Sequence, residues 1–104
     1  MTLRVTTTHA ADADIRDIVT YIAIDSRGAA ERFIDALDNT FRVLATKHEI
    51  GTPVLDFRLS LRRIRVSRRF RRYLIFFHQI DSETVEVVRV LHGARDIARI
   101  LRGL

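Results

Sequence analysis

The chain has 104 residues, no Cys and a net charge of +5, which excludes disulfides, thiolate chemistry and cysteine-ligated zinc and leaves enough chain for one domain burying about 65% of its unfolded surface. The charge is unevenly placed: residues 1–57 carry six basic against nine acidic side chains, and residues 58–104 carry twelve Arg against four acids. MTLRVTTTHAADAD has no apolar signal core, and no later run approaches the ~18 apolar residues of a membrane span, so a soluble, cytoplasmic protein is expected.

Thr2 to Thr6 reads as a short strand, and Thr7 or Thr8 then caps a helix whose early acids, Asp12 and Asp14, suit its positive end. Ile15, Ile18, Val19 and Ile22 recur at i, i+3, i+4 and i+7 as one apolar stripe. Ser26-Arg27-Gly28 interrupts the pattern, and Ala30, Phe33, Ile34, Leu37, Phe41 and Leu44 restart it through Lys47. Two helices joined this tightly pack antiparallel. His48 to Phe57, which holds Gly51 and the only Pro, reads as irregular. Leu61 to Val66, Tyr73 to Ile80 and Thr84 to His92 read as strands, and Ala94 to Arg102 as a short helix. The order β-αα-βββ-α describes an α+β fold, one domain over residues 1–104. A helical hairpin packs on a mainly antiparallel four-stranded sheet, with a short C-terminal helix.

A turn centred between Ser82 and Glu83 places Tyr73 opposite His92. One face then holds Tyr73, Ile75, Phe77, Val88, Val90 and His92, and the other Leu74, Phe76, His78, Val87, Arg89 and Leu91. Both are largely apolar, whereas a sheet with one wet face alternates apolar and polar. The hairpin covers one face, and two turns of terminal helix shield only part of the other. The remainder is an apolar groove suited to a partner, with Leu74, Phe76, Arg89, Leu91, Ile97 and Leu101 as candidate contacts.

No phosphate-binding glycine loop, nucleophile elbow or metal-spaced His pair occurs, and His9, His48, His78 and His92 are scattered, so neither metal nor cofactor is expected. Arg58, Arg62, Arg63, Arg65, Arg68, Arg69, Arg71 and Arg72 fall within 15 residues that contain no acid. As scaffold, such a run is a solvated edge that discourages sheet-to-sheet association; as a site, it is a surface for an anionic partner. Only Phe70 and Tyr73 interleave as stacking faces, which argues against direct nucleic-acid binding.

His92-Gly93-Ala94-Arg95-Asp96 presents the same choice. As scaffold, Gly93 permits the strand-to-helix exit, Asp96 suits the helix start and Arg95 pairs locally. Gly93→Ala is then the costliest change at the corner if Gly93 has positive φ. As a site, His92, Arg95 and Tyr73 gather at one sheet end beside the Arg run, where a phosphate or a protein loop of a target can bind, with Arg63, Arg65 and Arg72 as further candidate contacts.

The stretches ADADIRDIVTYIA and AAERFIDAL, the Ile50-Gly51 turn, RRYLIFF at residues 71–77 and VVRVLHGARDIARIL run in this order over nearly the whole chain. Together they resemble toxins of the RelE/ParE superfamily of type II toxin–antitoxin systems, and within it the ParE branch. The resemblance implies a small toxin that inhibits DNA gyrase by binding, without catalysis or cofactor. It also implies a cognate antitoxin whose acidic and apolar C-terminal segment wraps the groove, in a higher-order complex. RelE-like relatives instead cleave mRNA on the ribosome, using basic residues and commonly a Tyr. Here Leu74 stands where that branch usually has Arg, no Tyr follows Tyr73, and Arg63 and Arg65 replace strand Lys residues. The ParE pattern departs at Phe77, where the strand usually ends in Tyr. If the chain cleaves RNA, His92, Arg89 and Arg95 are the residues to supply base, acid and cations. A third alternative is a homologue that binds antitoxin without toxicity.

Overall fold

The structure, a computed structural model of the chain, describes residues 2–55 and 60–104; Phe57 and Arg58, named above, lie outside the described residues. β1 (Arg4–Thr7) leads into α1 (His9–Asp25). Thr8 is the cap: its Oγ accepts the Ala11 N–H at 3.0 Å, while the Thr7 hydroxyl donates to Asp12 at 2.6 Å. A single residue, Ser26, separates α1 from α2 (Arg27–Thr46). Its N–H donates to the Ile22 carbonyl and closes α1, and its Oγ accepts the Ala29 N–H and opens α2. Gly28 lies inside the second helix rather than at the break.

β2 (Thr52–Pro53), β3 (Arg62–Arg65), β4 (Tyr73–Asp81) and β5 (Thr84–His92) complete a sheet of order β1-β5-β4-β3-β2, and α3 (Ile97–Arg102) follows. The sheet has five strands rather than four, because Thr52 and Pro53, in the stretch expected to be irregular, pair with Arg63 and Arg62. Pro is tolerated at such an edge because a ladder N–H is not required there. β1 runs parallel to β5, and all other pairs are antiparallel. Burial along β5 comes in adjacent pairs instead of alternating, as suits a central strand covered on both faces.

Tyr73 pairs with His92 and Leu74 with Leu91, as the turn geometry predicts. The register then slips between Phe76 and Phe77: Phe76 faces Arg89 but Phe77 faces Val87, leaving Val88 as the extra residue of a β-bulge. One residue of slip exchanges the faces of its neighbours. Val87 therefore packs with the hairpin and Val88 with the opposite face, the reverse of the assignment made by strict alternation.

Two apolar clusters result. The hairpin side joins Phe33, Leu37 and Leu44 of α2 to Ile75, Phe77, Val87 and Val90 of the sheet. Phe33 is fully buried, and truncating it to Ala would cost about 3–5 kcal/mol. The outer side joins Leu61, Phe76, Val88 and Leu91 to Leu101 of α3, with Leu74, Ile97 and Ile100 half-buried around them. α3 therefore covers more of this face than its length suggests. No described helix is long and apolar enough to cross a membrane.

Past Thr7 the edge of β5 is taken over by α1 and its cap. Thr8 donates its N–H to the Val87 carbonyl at 3.0 Å and its hydroxyl to the Val88 carbonyl at 2.8 Å. Asp14 accepts the Val90 N–H at 3.0 Å. The Thr8 N–H and the side chains of Thr8 and Asp14 thus satisfy backbone groups that a longer β1 would otherwise pair.

Gly51 is the one described glycine with positive φ, at 86°, and a Cβ there would lie 2.4 Å from the Arg63 carbonyl oxygen. Gly93 does not share this conformation, and its Cβ would meet only the Arg72 carbonyl at 3.4 Å. The position that requires glycine is the entry to β2, and the expectation for Gly93 is corrected accordingly.

Candidate functional site

β4 and β5 end side by side at Tyr73 and His92, and the chain leaves the sheet there toward α3. The Gly93 N–H donates to the Arg72 carbonyl at 2.6 Å, tying the exit to the base of the preceding hairpin. Asp96 accepts the Arg99 N–H at 3.2 Å and is the N-cap of α3, which starts at Ile97 rather than Ala94. An aromatic chain fixes this end from below. Phe33 meets Phe70 and Tyr73 edge-on at 5.2 and 5.3 Å, and Tyr73 meets the His92 ring edge-on at 5.0 Å.

The His92 ring is held from a second direction, because the Ala94 N–H donates to its Nδ1 at 3.0 Å. A backbone N–H only donates, so Nδ1 is the acceptor and the ring proton sits on Nε2. Beside the ring lies a cleft of about 330 Å³ lined by Arg71, Arg72, Leu74, His92, Gly93 and Ala94. Burial, and secondarily Tyr21, push the Tyr73 hydroxyl above its usual 10.0. Tyr21 itself is 69% exposed on α1.

Arg63, Arg65, Arg68, Arg69, Arg71, Arg72 and Arg95 are all exposed. Among the described residues the ion pairs are Arg89–Asp14 and His78–Glu86, so these seven guanidiniums have no described carboxylate against them. Arg63 and Arg65 pair across the ladder with Phe76 and Leu74, and so stand on the α3 face of the sheet. Arg68, Arg69, Arg71 and Arg72 are exposed on a turn anchored by Phe70, whose N–H donates to Ser67 and whose ring packs on Phe33. The expected local pair of Arg95 is absent among the described residues; its backbone N–H donates to the His92 carbonyl instead.

Two arginines of the sequence reading have structural duties. Arg62 donates to the Ile50 and Gly51 carbonyls at 3.1 and 3.4 Å and holds the turn into β2. Arg89 donates Nε and Nη2 to Asp14 at 2.7 and 2.8 Å. That bidentate bond raises the Arg89 pKa above its ordinary value despite the burial that opposes it. Its partner was not singled out from the sequence. The signal was present: Asp14 lies three residues after buried Ala11 and four before Ile18, on the apolar stripe, and a carboxylate there needs a buried partner.

The groove candidates divide in the same way. Phe76, Leu91 and Leu101 are at most 2% exposed because α3 already packs on them. Leu74, Ile97 and Ile100 remain half-buried and reachable beside Arg63 and Arg65. A larger cleft of about 590 Å³ includes His48, Arg62 and His78, but Arg62 is tethered as described and His78 lies 3.0 Å from Glu86. Among the described residues, no three His, Asp or Glu side chains are grouped to hold a metal.

The arrangement is a cationic surface on a rigid sheet end, next to a short apolar strip. No curated protein matches the chain. Among solved structures, its fold is similar to that of a chain described as "Chromosomal ParDE TA system from P. aeruginosa". The TM-score is 0.68 at 14% identity, over 88% of this chain and 96% of that one. A family model described as the ParE toxin of type II toxin-antitoxin system, parDE, matches residues 5–97. With nearly every element inside that match, the chain belongs to the ParE toxin family of type II toxin–antitoxin systems.

Proposed function

We propose that this toxin arrests growth in the cytoplasm by binding and inhibiting DNA gyrase, without catalysis of its own, and that a cognate antitoxin neutralises it. The observation that carries the non-catalytic reading is the commitment of the groups RNA cleavage would need. Attack by a 2′-hydroxyl requires a base to take its proton and cations around the phosphorane. The Nδ1 lone pair of His92 is occupied by the Ala94 N–H, the Arg89 guanidinium by Asp14, and the Tyr73 hydroxyl is pushed up, away from base character. Arg95 and the other exposed guanidiniums are free to meet an anion, but without a base beside them they support binding rather than cleavage.

The antitoxin reading rests on the outer face. Half-buried Leu74, Ile97 and Ile100 lie beside exposed Arg63 and Arg65, a combination that suits a segment carrying both apolar and acidic side chains. Phe76, Leu91 and Leu101 join that contact only if α3 moves.

Induction of the toxin without its antitoxin tests the proposal. Replication should stall and a DNA-damage response should appear before protein synthesis falls. Loss of translation first, with replication following, favours the ribosome-dependent endonuclease reading; harmless expression favours a homologue that only binds antitoxin.

A further inference from the structure

We propose that the cleft between Arg71, Arg72 and His92 is a carboxylate-binding site that takes an Asp or Glu side chain of the target, with His92 acting as a hydrogen-bond donor through Nε2 and never as a base. The target role rests on the reading of the chain as an inhibitor that works by binding a protein enzyme; the chemistry of the cleft does not.

One donor, the His92 ring, is built before any ligand arrives. The Ala94 N–H fixes the tautomer at Nδ1, and the edge of Tyr73 fixes the plane of the ring. The Gly93 N–H to Arg72 carbonyl bond sets the distance between the two walls. A donor already held in place binds without losing rotamer freedom, which is where long cationic side chains lose most of their affinity. Arg71 and Arg72 contribute guanidiniums with no described carboxylate within reach, so the negative charge comes from outside.

Leu74 gives the cleft an apolar wall, which suits the methylene of an acidic side chain. The aromatics interleaved with the arginines speak against a nucleic acid. Phe70 is turned onto Phe33, and Tyr73 is taken by Phe33 and His92, so neither offers a free face for a base to stack on. The charged residues lining the cleft are Arg71 and Arg72, and Asp96 at the exit is engaged as a helix cap.

The purified toxin provides the test. Long-range proton–nitrogen spectra of the imidazole should show the proton on Nε2; a proton on Nδ1 overturns the proposal. Titration with acetate should shift the His92 Nε2–H and Arg72 Nε–H signals saturably, with a dissociation constant of about 1–10 mM, and Arg72→Gln should abolish the shift. Absence of a saturable shift, or inorganic phosphate binding about tenfold tighter than acetate, rules out a carboxylate site.

Gln reaches the position of Nε2 and Asn that of Nδ1, so the two His92 variants separate donor from spacer. In gyrase supercoiling, His92→Gln should inhibit within about threefold of the wild type, while His92→Asn and Arg72→Gln should lose about tenfold or more, the size of one charge-assisted hydrogen bond. Equal inhibition by His92→Asn removes the cleft from the target contact. If the wild type itself leaves supercoiling intact, the gyrase reading fails, and the spectra and acetate titration still decide the cleft.

Discussion

Asp14 on α1 grips Arg89 on β5 through two hydrogen bonds of 2.7 and 2.8 Å, and with the same carboxylate accepts the Val90 N–H at 3.0 Å. The carboxylate is 7% exposed, so it anchors the hairpin to the sheet where β1 has ended.

Breaking this pair should be costly, because the surviving charge stays buried. Asp14→Ala and Arg89→Ala should each lower unfolding free energy by about 3 kcal/mol, and the double variant should lose clearly less than the two single losses combined. Urea unfolding of the four proteins measures the coupling. Additive losses would mean that the two residues act independently.

Glycine matters most at Gly51. Ala at a φ of 86°, with its Cβ 2.4 Å from the Arg63 carbonyl, should cost about 2 kcal/mol or more, whereas Gly93→Ala should stay below about 1 kcal/mol. Thermal melts of the two variants check the order. A larger loss at Gly93 would place the strained backbone at the wrong end of the sheet.

Much of this was legible in the sequence. The stripes of both helices, the Ser26 break and the pairing of Tyr73 with His92 follow from period and turn length, signals that local residues carry. The bulge at Val88 was not, since apolar Val87 and Val88 stand side by side in β5 opposite the unbroken apolar run Leu74 to Phe77 of β4, and either face accepts them. Nor was β2, because two residues containing a Pro carry no strand pattern. At the candidate site, the meeting of Tyr73 and His92 at one sheet end was legible, but the tautomer of His92 depends on one backbone N–H that no pattern encodes. Arg89 looked like part of the surface because its partner lies 75 residues away.

The corner separates scaffold from contact. Asp96→Ala removes the N-cap of α3 and should lower stability by about 1 kcal/mol. His92→Ala, Arg72→Ala and Arg95→Ala, at positions where surface substitutions cost within about 0.5 kcal/mol apart from the ring contact to Tyr73, should reduce toxicity far more than stability. Melting temperature measured beside growth arrest makes the comparison. Toxicity that simply tracks melting temperature would leave the corner with a structural role alone.

The β4–β5 turn supplies a pH dependence. Asp81 accepts the Glu83 N–H at 2.8 Å, and this bond is the main reason its carboxyl sits below the ordinary 3.8. A lowered folded-state pKa means that stabilisation is present above the unfolded value and is lost as pH falls through the folded one. The stability advantage of wild type over Asp81→Asn should therefore shrink as pH drops below 3.8 and stay level above about pH 5. Unfolding curves across that range measure it; an advantage that grows on acidification reverses the assigned sign.

The most direct measurement assays one preparation of the purified toxin twice, for ATP-dependent supercoiling by gyrase and for cleavage of mRNA on translating ribosomes, with the cognate antitoxin added in parallel. Supercoiling should fall with toxin dose and recover with antitoxin while the mRNA stays intact. Cut mRNA beside unimpaired supercoiling would contradict inhibition by binding, and would mean that Arg89 or His92 leaves its present partner to take part in chemistry.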